Sequence, residues 1–215
     1  MFSLERVMPV ISFMNSKGGV GKTTVSIHVS AELHKRGYRV LHIDSDPQGT
    51  SQDWASVTDG SYFSVVGISN ENITKDVERM SKDYDWIVID GAAKLEKLIV
   101  STLKASDLVI IPIAPSGPDI WGTRDLVDLI KTRQEVTDGL PAAAFLINQV
   151  NRRTILASEV EEVIGEMALP AFKSELSIKT AYARGITIGK TGSDINKSAR
   201  LEVEALTDEI EEAFQ

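Results

Sequence analysis

The chain of 215 residues contains no cysteine. This absence excludes disulfide bonds, cysteine-ligated zinc sites and iron–sulfur clusters. Its three histidines, His28, His34 and His42, lack the paired spacing of metal ligands, so packing or surface roles are expected for them. A cysteine-free composition is typical of a reducing compartment, and we therefore predict a cytoplasmic protein.

The sequence also lacks any run of roughly twenty apolar residues, the length that a membrane-spanning helix needs. Its first six residues do not form the apolar core of a secretion signal. We therefore expect no membrane partner. Because Met8 and Pro9 directly precede the first apolar run, residues 1–9 are predicted to be an N-terminal extension and residues 10–215 a single domain.

Basic residues are in deficit, since 23 lysines and arginines stand against 31 acidic residues for a formal net charge of −8. This balance argues against a large constitutive nucleic-acid surface. Between residues 172 and 200, however, six basic residues outnumber two acidic ones. One interpretation is a weak, non-specific DNA contact, and the other is ordinary solvated helix faces. The candidate DNA-binding residues are Arg152, Arg153, Arg184 and Lys190.

The strongest positive signal is Asn-Ser-Lys-Gly-Gly-Val-Gly-Lys-Thr-Thr at residues 15–24, which follows an apolar run over 10–14 and opens a helical pattern. A glycine-rich turn in this position aims backbone N–H groups inward and forms an anion site at the helix N-terminus. Lys22 would neutralise phosphates, and the Thr23 hydroxyl would ligate Mg²⁺. The other residues predicted to cradle the nucleotide are Lys17, Gly18, Gly19, Val20, Gly21 and Thr24.

Lys17 has two interpretations, because Lys22 already serves the phosphates from within the loop. A lysine at the outer lip is either solvated at a strand end or reaches a nucleotide that a second subunit holds. The second interpretation requires that two chains meet face to face.

Short apolar runs alternate with helix-length amphipathic segments, a pattern typical of βαβ units around a parallel sheet. We predict strands near residues 10–15, 39–44, 62–67, 85–90, 107–113, 142–148 and 171–173. Helices are predicted near 22–36, 72–82, 95–105, 120–137, 154–168 and 195–213, with shorter turns near 50–56 and 179–184. The expected fold class is α/β, a single phosphate-loop NTPase domain whose twisted, mostly parallel sheet carries helices on both faces.

Three acids end strands at the edge where such sheets bind ligands. Asp44 and Asp46 close the second strand, and alternation along an extended chain would let both face one side. The alternative is that they form the turn before Pro47. Asp90 ends the fourth strand at the position of a Walker B carboxylate.

The motif Lys-Gly-Gly-Val-Gly-Lys-Thr over 17–23 and the element Asp-Ser-Asp-Pro-Gln over 44–48 resemble the ParA/MinD family of deviant Walker A ATPases. The resemblance implies ATP and Mg²⁺ as ligands and an ATP-dependent homodimer in which Lys17 of each chain reaches its partner's nucleotide. It further implies that Lys17, Lys22 and Asp46 are catalytic, with Asp46 positioning the attacking water. The implied metal site comprises Thr23, Asp44, Asp46 and Asp90.

The chain continues Gly91-Ala92-Ala93 after Asp90, whereas the family often has two prolines there. In this respect it is similar to the small ParF-like partition ATPases. That likeness implies a weak ATPase that partitions plasmid or chromosomal DNA, associates with the nucleoid and is stimulated by a centromere-binding adaptor protein.

Three further segments are interpreted through the same resemblance. The proline-rich segment over 111–119 either approaches the partner subunit or is a structural loop. Trp121 after it either packs against the next helix or anchors an interface, and packing is the favoured interpretation. Asn148 is placed against adenine. The closing helix over 199–214 has an acidic polar face that anionic lipid would repel, so it is expected to pack on the sheet.

Two other functions remain open on the residues alone. An ATPase of the same fold that positions a protein cargo would need the same chemistry. A ligase similar to dethiobiotin synthetase would use the loop to phosphorylate a carboxylate and would have no need of Lys17.

Overall fold

The computed structural model describes residues 8–58, 60–93, 96–151 and 164–215. Its sheet has seven strands in the order β3-β2-β4-β1-β5-β6-β7, and every strand pair is parallel. The strands are β1 Val10–Phe13, β2 Val40–Asp44, β3 Ser64–Gly67, β4 Trp86–Asp90, β5 Leu108–Ile113, β6 Ala142–Val150 and β7 Leu176–Ser177. The predicted α/β fold class is confirmed.

The helices with both ends among the described residues connect these strands and cover the sheet. They are α1 Lys22–Lys35, α2 Thr50–Val57, α3 Ile73–Met80, α4 Glu96–Ala105, α5 Gly117–Trp121, α6 Arg124–Glu135, α7 Thr180–Thr187, α8 Gly192–Ile195 and α9 Lys197–Glu212. No helix among the described ranges is long and apolar enough to cross a bilayer.

Alternate residues of the strands point into different cores. Val88 packs with residues of α1 and α9 on one face, whereas Ile87 and Ile89 pack with residues of α3 and α4 on the other. All three are completely buried. Burial on both faces explains why this strand is a continuous apolar run and carries no polar alternation.

Strand register brings three chain positions together at the carboxyl edge of the sheet. Asp90 pairs with Phe13 of β1 and with Asp44 of β2. The loops that follow β1, β2 and β4 therefore start side by side. This shared edge is where the predicted site residues converge.

The structure corrects several predicted elements. Residues 50–57 form a full helix, and the proline-rich segment ends in the short helix α5, whose N-cap Ser116 accepts a hydrogen bond from the Asp119 N–H. The seventh strand lies at 176–177, and Ala171 makes only an isolated bridge with Phe145. The predicted packing role of Trp121 is wrong, since its side chain is 58% exposed.

Residues 8 and 9 are already packed against the rest of the domain, ahead of the boundary predicted at residue 10. Met8 is buried in the core, and the Pro9 carbonyl accepts a hydrogen bond from the Ile87 N–H at 3.0 Å. Packing therefore begins before residue 10, while residues 1–7 lie outside the described chain. Most of the helix predicted over 154–168 also lies outside the described residues.

Candidate nucleotide-binding site

The glycine-rich loop joins β1 to α1 and has the backbone that an anion cradle requires. Gly19 and Gly21 adopt left-handed conformations, with φ of 80° and 94°. A Cβ atom on Gly21 would lie 2.3 Å from the Asn148 Nδ2 atom. Glycine is therefore needed at position 21 for both its backbone angle and the space beside it.

Lys22 begins α1 and is nearly buried at the base of the loop. Its Nζ atom donates a hydrogen bond to the Lys17 carbonyl at 3.2 Å. Burial lowers the pKa of the Lys22 ammonium, and the charges of Asp90 and Asp46 act in the opposite direction. A buried ammonium at this place suits an anionic ligand, because the ligand's negative charge would stabilise an ammonium group that water does not solvate.

Lys17 lies on the lip of the loop, with its side chain 40% exposed, and forms an ion pair with Asp119 of the first turn of α5. Burial raises the pKa of the Asp119 carboxyl, but hydrogen bonds from Lys17 and Ser116 outweigh it, so the net shift is downward. The predicted outward position of Lys17 agrees with this geometry. In this single chain its ammonium is paired within the same molecule.

Asp44 ends β2 and caps α2. Its Oδ2 atom accepts hydrogen bonds from the N–H groups of Ser51 at 2.9 Å and Gln52 at 3.1 Å, while Oδ1 accepts from the Asp46 N–H at 3.1 Å. Burial raises the pKa of Asp44, and these three backbone hydrogen bonds oppose the rise. Both oxygens are thus held by backbone donors, a geometry that the strand pattern did not indicate.

Asp46 lies in the loop after β2, because the strand ends at Asp44. The alternation along an extended strand, which would point the Asp44 and Asp46 side chains the same way, therefore does not extend to Asp46. Its Oδ1 atom accepts the Gln48 N–H at 3.0 Å, and its charge acts on Lys22. Asp46 is half-buried beside the loop, on the same edge as the cradle.

Asp90 ends β4 and is 1% exposed. Its Oδ2 atom accepts a hydrogen bond from the Ser51 hydroxyl at 3.0 Å, whereas the buried Oδ1 atom has no hydrogen-bond partner among the described residues. Burial raises the pKa of this carboxyl to about 7, against the effects of the Thr23 and Ser51 hydroxyls and the Lys22 charge. Sequence reasoning missed Ser51, because no motif position marks it.

Two amide side chains of β6 hold the loop from below. The Asn148 Nδ2 atom donates to the Val20 carbonyl, and the Gln149 Nε2 atom donates to the Gly19 carbonyl, both at 2.7 Å. Gln149 has a φ of 59°, a left-handed conformation uncommon for a residue with a side chain. It lies where the pairing of β6 with β7 shifts register. The sequence pointed to Asn148 and gave no signal for Gln149.

The residues at this edge of the sheet determine what kind of metal site they can form. Within the described ranges, no three His, Asp or Glu side chains gather closely enough to enclose an ion. A self-contained protein cage is therefore not what this edge offers. The partnerless buried oxygen of Asp90, close to the Thr23 hydroxyl, does fit an ion that brings phosphate and water ligands of its own, as Mg²⁺ does.

The candidate DNA-binding residues are only partly visible. Arg184 in α7 and Lys190 after it are both exposed. The Lys190 N–H donates to the Gly185 carbonyl, so the two side chains belong to one compact segment. Arg152 and Arg153 lie outside the described residues.

Comparison with known proteins agrees with this architecture. A family model described as an AAA domain matches residues 8–68 and 57–140. The maintenance of carboxysome distribution protein A of Halothiobacillus neapolitanus is 26% identical over 208 residues, 93% of this chain and 95% of that protein. The chromosome-partitioning ATPase Soj of Thermus thermophilus is 27% identical over 216 residues, 84% of this chain and 86% of its own length.

A solved structure shows the same fold. The septum site-determining protein MinD from Pyrococcus horikoshii, in complex with Mg-ADP, superposes with a TM-score of 0.75 at 20% identity. The match covers 94% of this chain and 96% of that one.

Proposed function

Because the chain belongs to the AAA-domain family whose model it matches, and within it to the ParA/MinD family of deviant Walker A ATPases, we propose that it is a Mg²⁺-dependent ATPase. In the presence of ATP it would pair with a second copy of itself and position a cargo. The observation that carries the proposal is the contrast between two lysines of one loop. Lys22 is nearly buried at the base, while Lys17 is exposed at the lip.

The buried part of the site accounts for nucleotide binding and hydrolysis. The loop N–H groups from Gly18 to Thr24 and the Lys22 ammonium would hold the phosphates. Thr23 and Asp90 would hold Mg²⁺, which would supply charge neutralisation for the transferred phosphoryl group. Asp44 would support that shell, and Asp46, beside the cradle, would orient the attacking water.

The exposed part of the site accounts for pairing. Lys17 cannot serve its own phosphates as directly as Lys22 does, and an ammonium at the lip suits the nucleotide of a facing chain. Trp121 is exposed and belongs to α5, the same short helix whose Asp119 pairs with Lys17. Large exposed aromatic side chains are enriched in protein interfaces, so this helix is a candidate part of the pairing surface.

Adenine is the base that we propose for this nucleotide, with Asn148 of β6 as its contact. The Asn148 side chain donates to Val20 through Nδ2, which leaves its oxygen to accept from an amino group. The chain contains no Asn-Lys-x-Asp element of the kind that recognises guanine.

Non-specific DNA and an adaptor protein complete the proposal. Arg184 and Lys190 are exposed, and pairing of two chains would bring a second copy of this segment into one assembly. Nucleoid association would then depend on ATP, and the adaptor would stimulate hydrolysis and release. Because the net charge is −8, we expect this DNA contact to be weak and strongly salt-dependent.

Two cargo classes are supported, each by a relative. The similarity to Soj favours DNA partition, the function predicted from the sequence, and the similarity to the carboxysome distribution protein favours a protein assembly. Affinity capture with the ATP-bound protein distinguishes them, since a DNA-bound adaptor indicates the first and a particle-associated adaptor the second.

The ATPase proposal is tested by phosphate release and oligomer mass measured together in ATP, with and without duplex DNA. We expect release without any small acceptor, which a ligase would require, and ATP-dependent dimers. Lys17→Ala should bind nucleotide as a monomer and lose the dimers. The control is Lys82→Ala, which should keep the ATP-dependent dimers. Lys82 is exposed and precedes the first residue of β4, at the edge of the sheet away from the site. Dimers that persist in Lys17→Ala would contradict the proposal.

A further inference from the structure

A row of four buried polar side chains leads from α1, by way of β2 and α2, to the carboxylate that ends β4. The Ser30 hydroxyl lies 2.9 Å from His42 Nδ1, and His42 Nε2 lies 3.0 Å from the Ser51 hydroxyl. The Ser51 hydroxyl donates to Asp90 Oδ2 at 3.0 Å. None of the four side chains reaches solvent to a significant extent.

The chemistry of the groups gives this row a direction. The Ser51 hydroxyl donates to Asp90 Oδ2, and in the ionised form of Asp90 that would bind Mg²⁺ the carboxylate only accepts hydrogen bonds, so the single hydroxyl proton of Ser51 points to it. The Ser51 oxygen then accepts from His42, which requires the proton to be on Nε2. The other ring nitrogen of His42 accepts from Ser30. Each donor therefore has one acceptor, and the imidazole has one tautomer and one orientation.

Ser51 links two acids of the site at once. While its hydroxyl donates to Asp90, its backbone N–H donates to Asp44 Oδ2 at 2.9 Å. Its position is itself fixed, because it lies in the first turn of α2 and is completely buried. Ser51 therefore contacts both carboxylates at the strand ends.

The arrangement satisfies only half of Asp90. Its Oδ1 atom is buried and has no hydrogen-bond partner in the described part of the chain. Leaving a buried charged oxygen without a donor is costly, and a purely structural network would satisfy both oxygens. An anchored oxygen beside a partnerless one is the arrangement expected of a carboxylate that is held ready for a ligand.

We propose that Ser51, oriented by His42, is a positioning residue for the metal–nucleotide site, which anchors one oxygen of Asp90 so that the other faces the ion and its water ligands. The inference rests on the proposed function, since it assumes that Mg²⁺ and a nucleotide bind at this edge. It adds a residue outside the glycine-rich loop and the strand-end acids to the machinery that orders the metal. Ser30 and His42 act only through Ser51.

The test is a titration of Mg²⁺ against binding of a fluorescent ATP analogue, followed by fluorescence well below the thermal midpoint of each variant. Ser51→Ala should weaken the apparent Mg²⁺ affinity by roughly 10- to 100-fold, the range for loss of a residue that orients a metal ligand. Ser56→Ala is the matched control. It makes the same chemical change in the same helix, where its hydroxyl bonds the Asp53 carbonyl, and should stay within about twofold of wild type.

A second pair of variants tests the role of the His42 imidazole independently. His42→Gln can place an N–H donor where Nε2 lies, whereas His42→Asn reaches only to the Nδ1 position. We therefore expect His42→Gln to bind Mg²⁺ more tightly than His42→Asn. Nitrogen NMR of histidine should also report the Nε2–H tautomer for His42 in wild type.

The outcomes separate the two claims. If wild type shows no Mg²⁺-dependent nucleotide binding, the proposed function fails. If wild type shows it and Ser51→Ala weakens it less than threefold, or the two His42 variants bind alike, the positioning role is wrong. A lower thermal midpoint in Ser51→Ala with unchanged Mg²⁺ affinity would likewise assign Ser51 to stability alone.

Discussion

Lys17 forms an ion pair with Asp119 of its own chain, between the lip of the glycine-rich loop and the first turn of α5. The ammonium that is proposed to reach a second chain's nucleotide is therefore held by its own chain until two copies meet. Pairing must exchange one anionic partner of Lys17 for another. The cost is small, because a pair this exposed stabilises a protein by at most about 1 kcal/mol.

Removing the internal partner should favour pairing. In Asp119→Ala the Lys17 ammonium is released, so we expect the ATP-dependent dimer to form at a protein concentration lower by about two- to fivefold. Analytical ultracentrifugation in a non-hydrolysable ATP analogue measures the shift. Asp128→Ala, an exposed aspartate of α6, is the control. A dimer that weakens in Asp119→Ala would show that this carboxylate serves the interface directly.

Gly21→Ala should weaken nucleotide binding through a steric collision, and Gly37→Ala separates that effect from backbone strain alone. Both glycines have a φ near 95°, but only at Gly21 would a Cβ atom collide with a neighbour, the Asn148 amide that holds the Val20 carbonyl. Gly37→Ala should cost about 1 kcal/mol of unfolding free energy from backbone strain and leave nucleotide affinity unchanged. Gly21→Ala should lose at least tenfold in affinity in equilibrium binding. Equal affinities in the two variants would contradict the close packing of the loop on β6.

The buried His28 makes stability depend on pH. It donates from Nδ1 to the Thr24 carbonyl and accepts the Gly192 N–H at Nε2, and burial lowers its pKa from 6.5 to about 4. Below pH 6.5 the His28 imidazole binds a proton in the unfolded chain but stays neutral in the folded chain until about pH 4. The free energy of unfolding therefore falls as pH drops from 6.5 towards 4. Each such histidine contributes about 1 kcal/mol per pH unit.

Two other groups act in the same window. Burial lowers the pKa of His42 to about 3 and adds to the loss, while Asp90, whose pKa is raised to about 7 mainly by burial, holds a proton in the folded state and opposes it. Urea unfolding between pH 5 and 6.5 should give a shallower slope for His28→Asn than for wild type. His34→Asn, on the exposed part of the same helix, should keep the wild-type slope. Equal slopes for His28→Asn and wild type would be inconsistent with a neutral buried imidazole.

The sequence predicted the parts of the fold that follow from local pattern. The unbroken apolar run of β4 indicated a doubly covered strand, and the glycine-rich motif between a strand and a helix placed Lys22 and Thr23 correctly at the start of α1. The acids ending β2 and β4 were also expected at one edge, which the Asp44–Asp90 register confirms.

What the sequence could not predict depends on contacts between distant segments. The Lys17–Asp119 pair joins residues about a hundred positions apart, and the hydrogen bond of Gln149 to the Gly19 carbonyl depends on a left-handed backbone in β6 that no composition signals. Asp46 shows a different limit, because the strand ended two residues earlier than alternation would need. Packing was the favoured interpretation of Trp121, whereas its side chain is exposed on α5, a position that depends on the tertiary placement of that helix.

Mixing two inactive variants tests the central claim most directly, because it asks whether one chain lends its lysine to the other. Lys17→Ala retains Asp46 but offers its partner no ammonium, and Asp46→Ala retains Lys17 but cannot orient water. In a mixed dimer, the Lys17→Ala chain would have its own Asp46 and receive Lys17 from its neighbour. Each mixed dimer has one complete site of two, so we predict that it releases phosphate at up to about half the wild-type rate per dimer, that the whole mixture is active in proportion to its share of mixed dimers, and that each variant alone is inactive. A mixture no more active than the sum of its components would contradict the account.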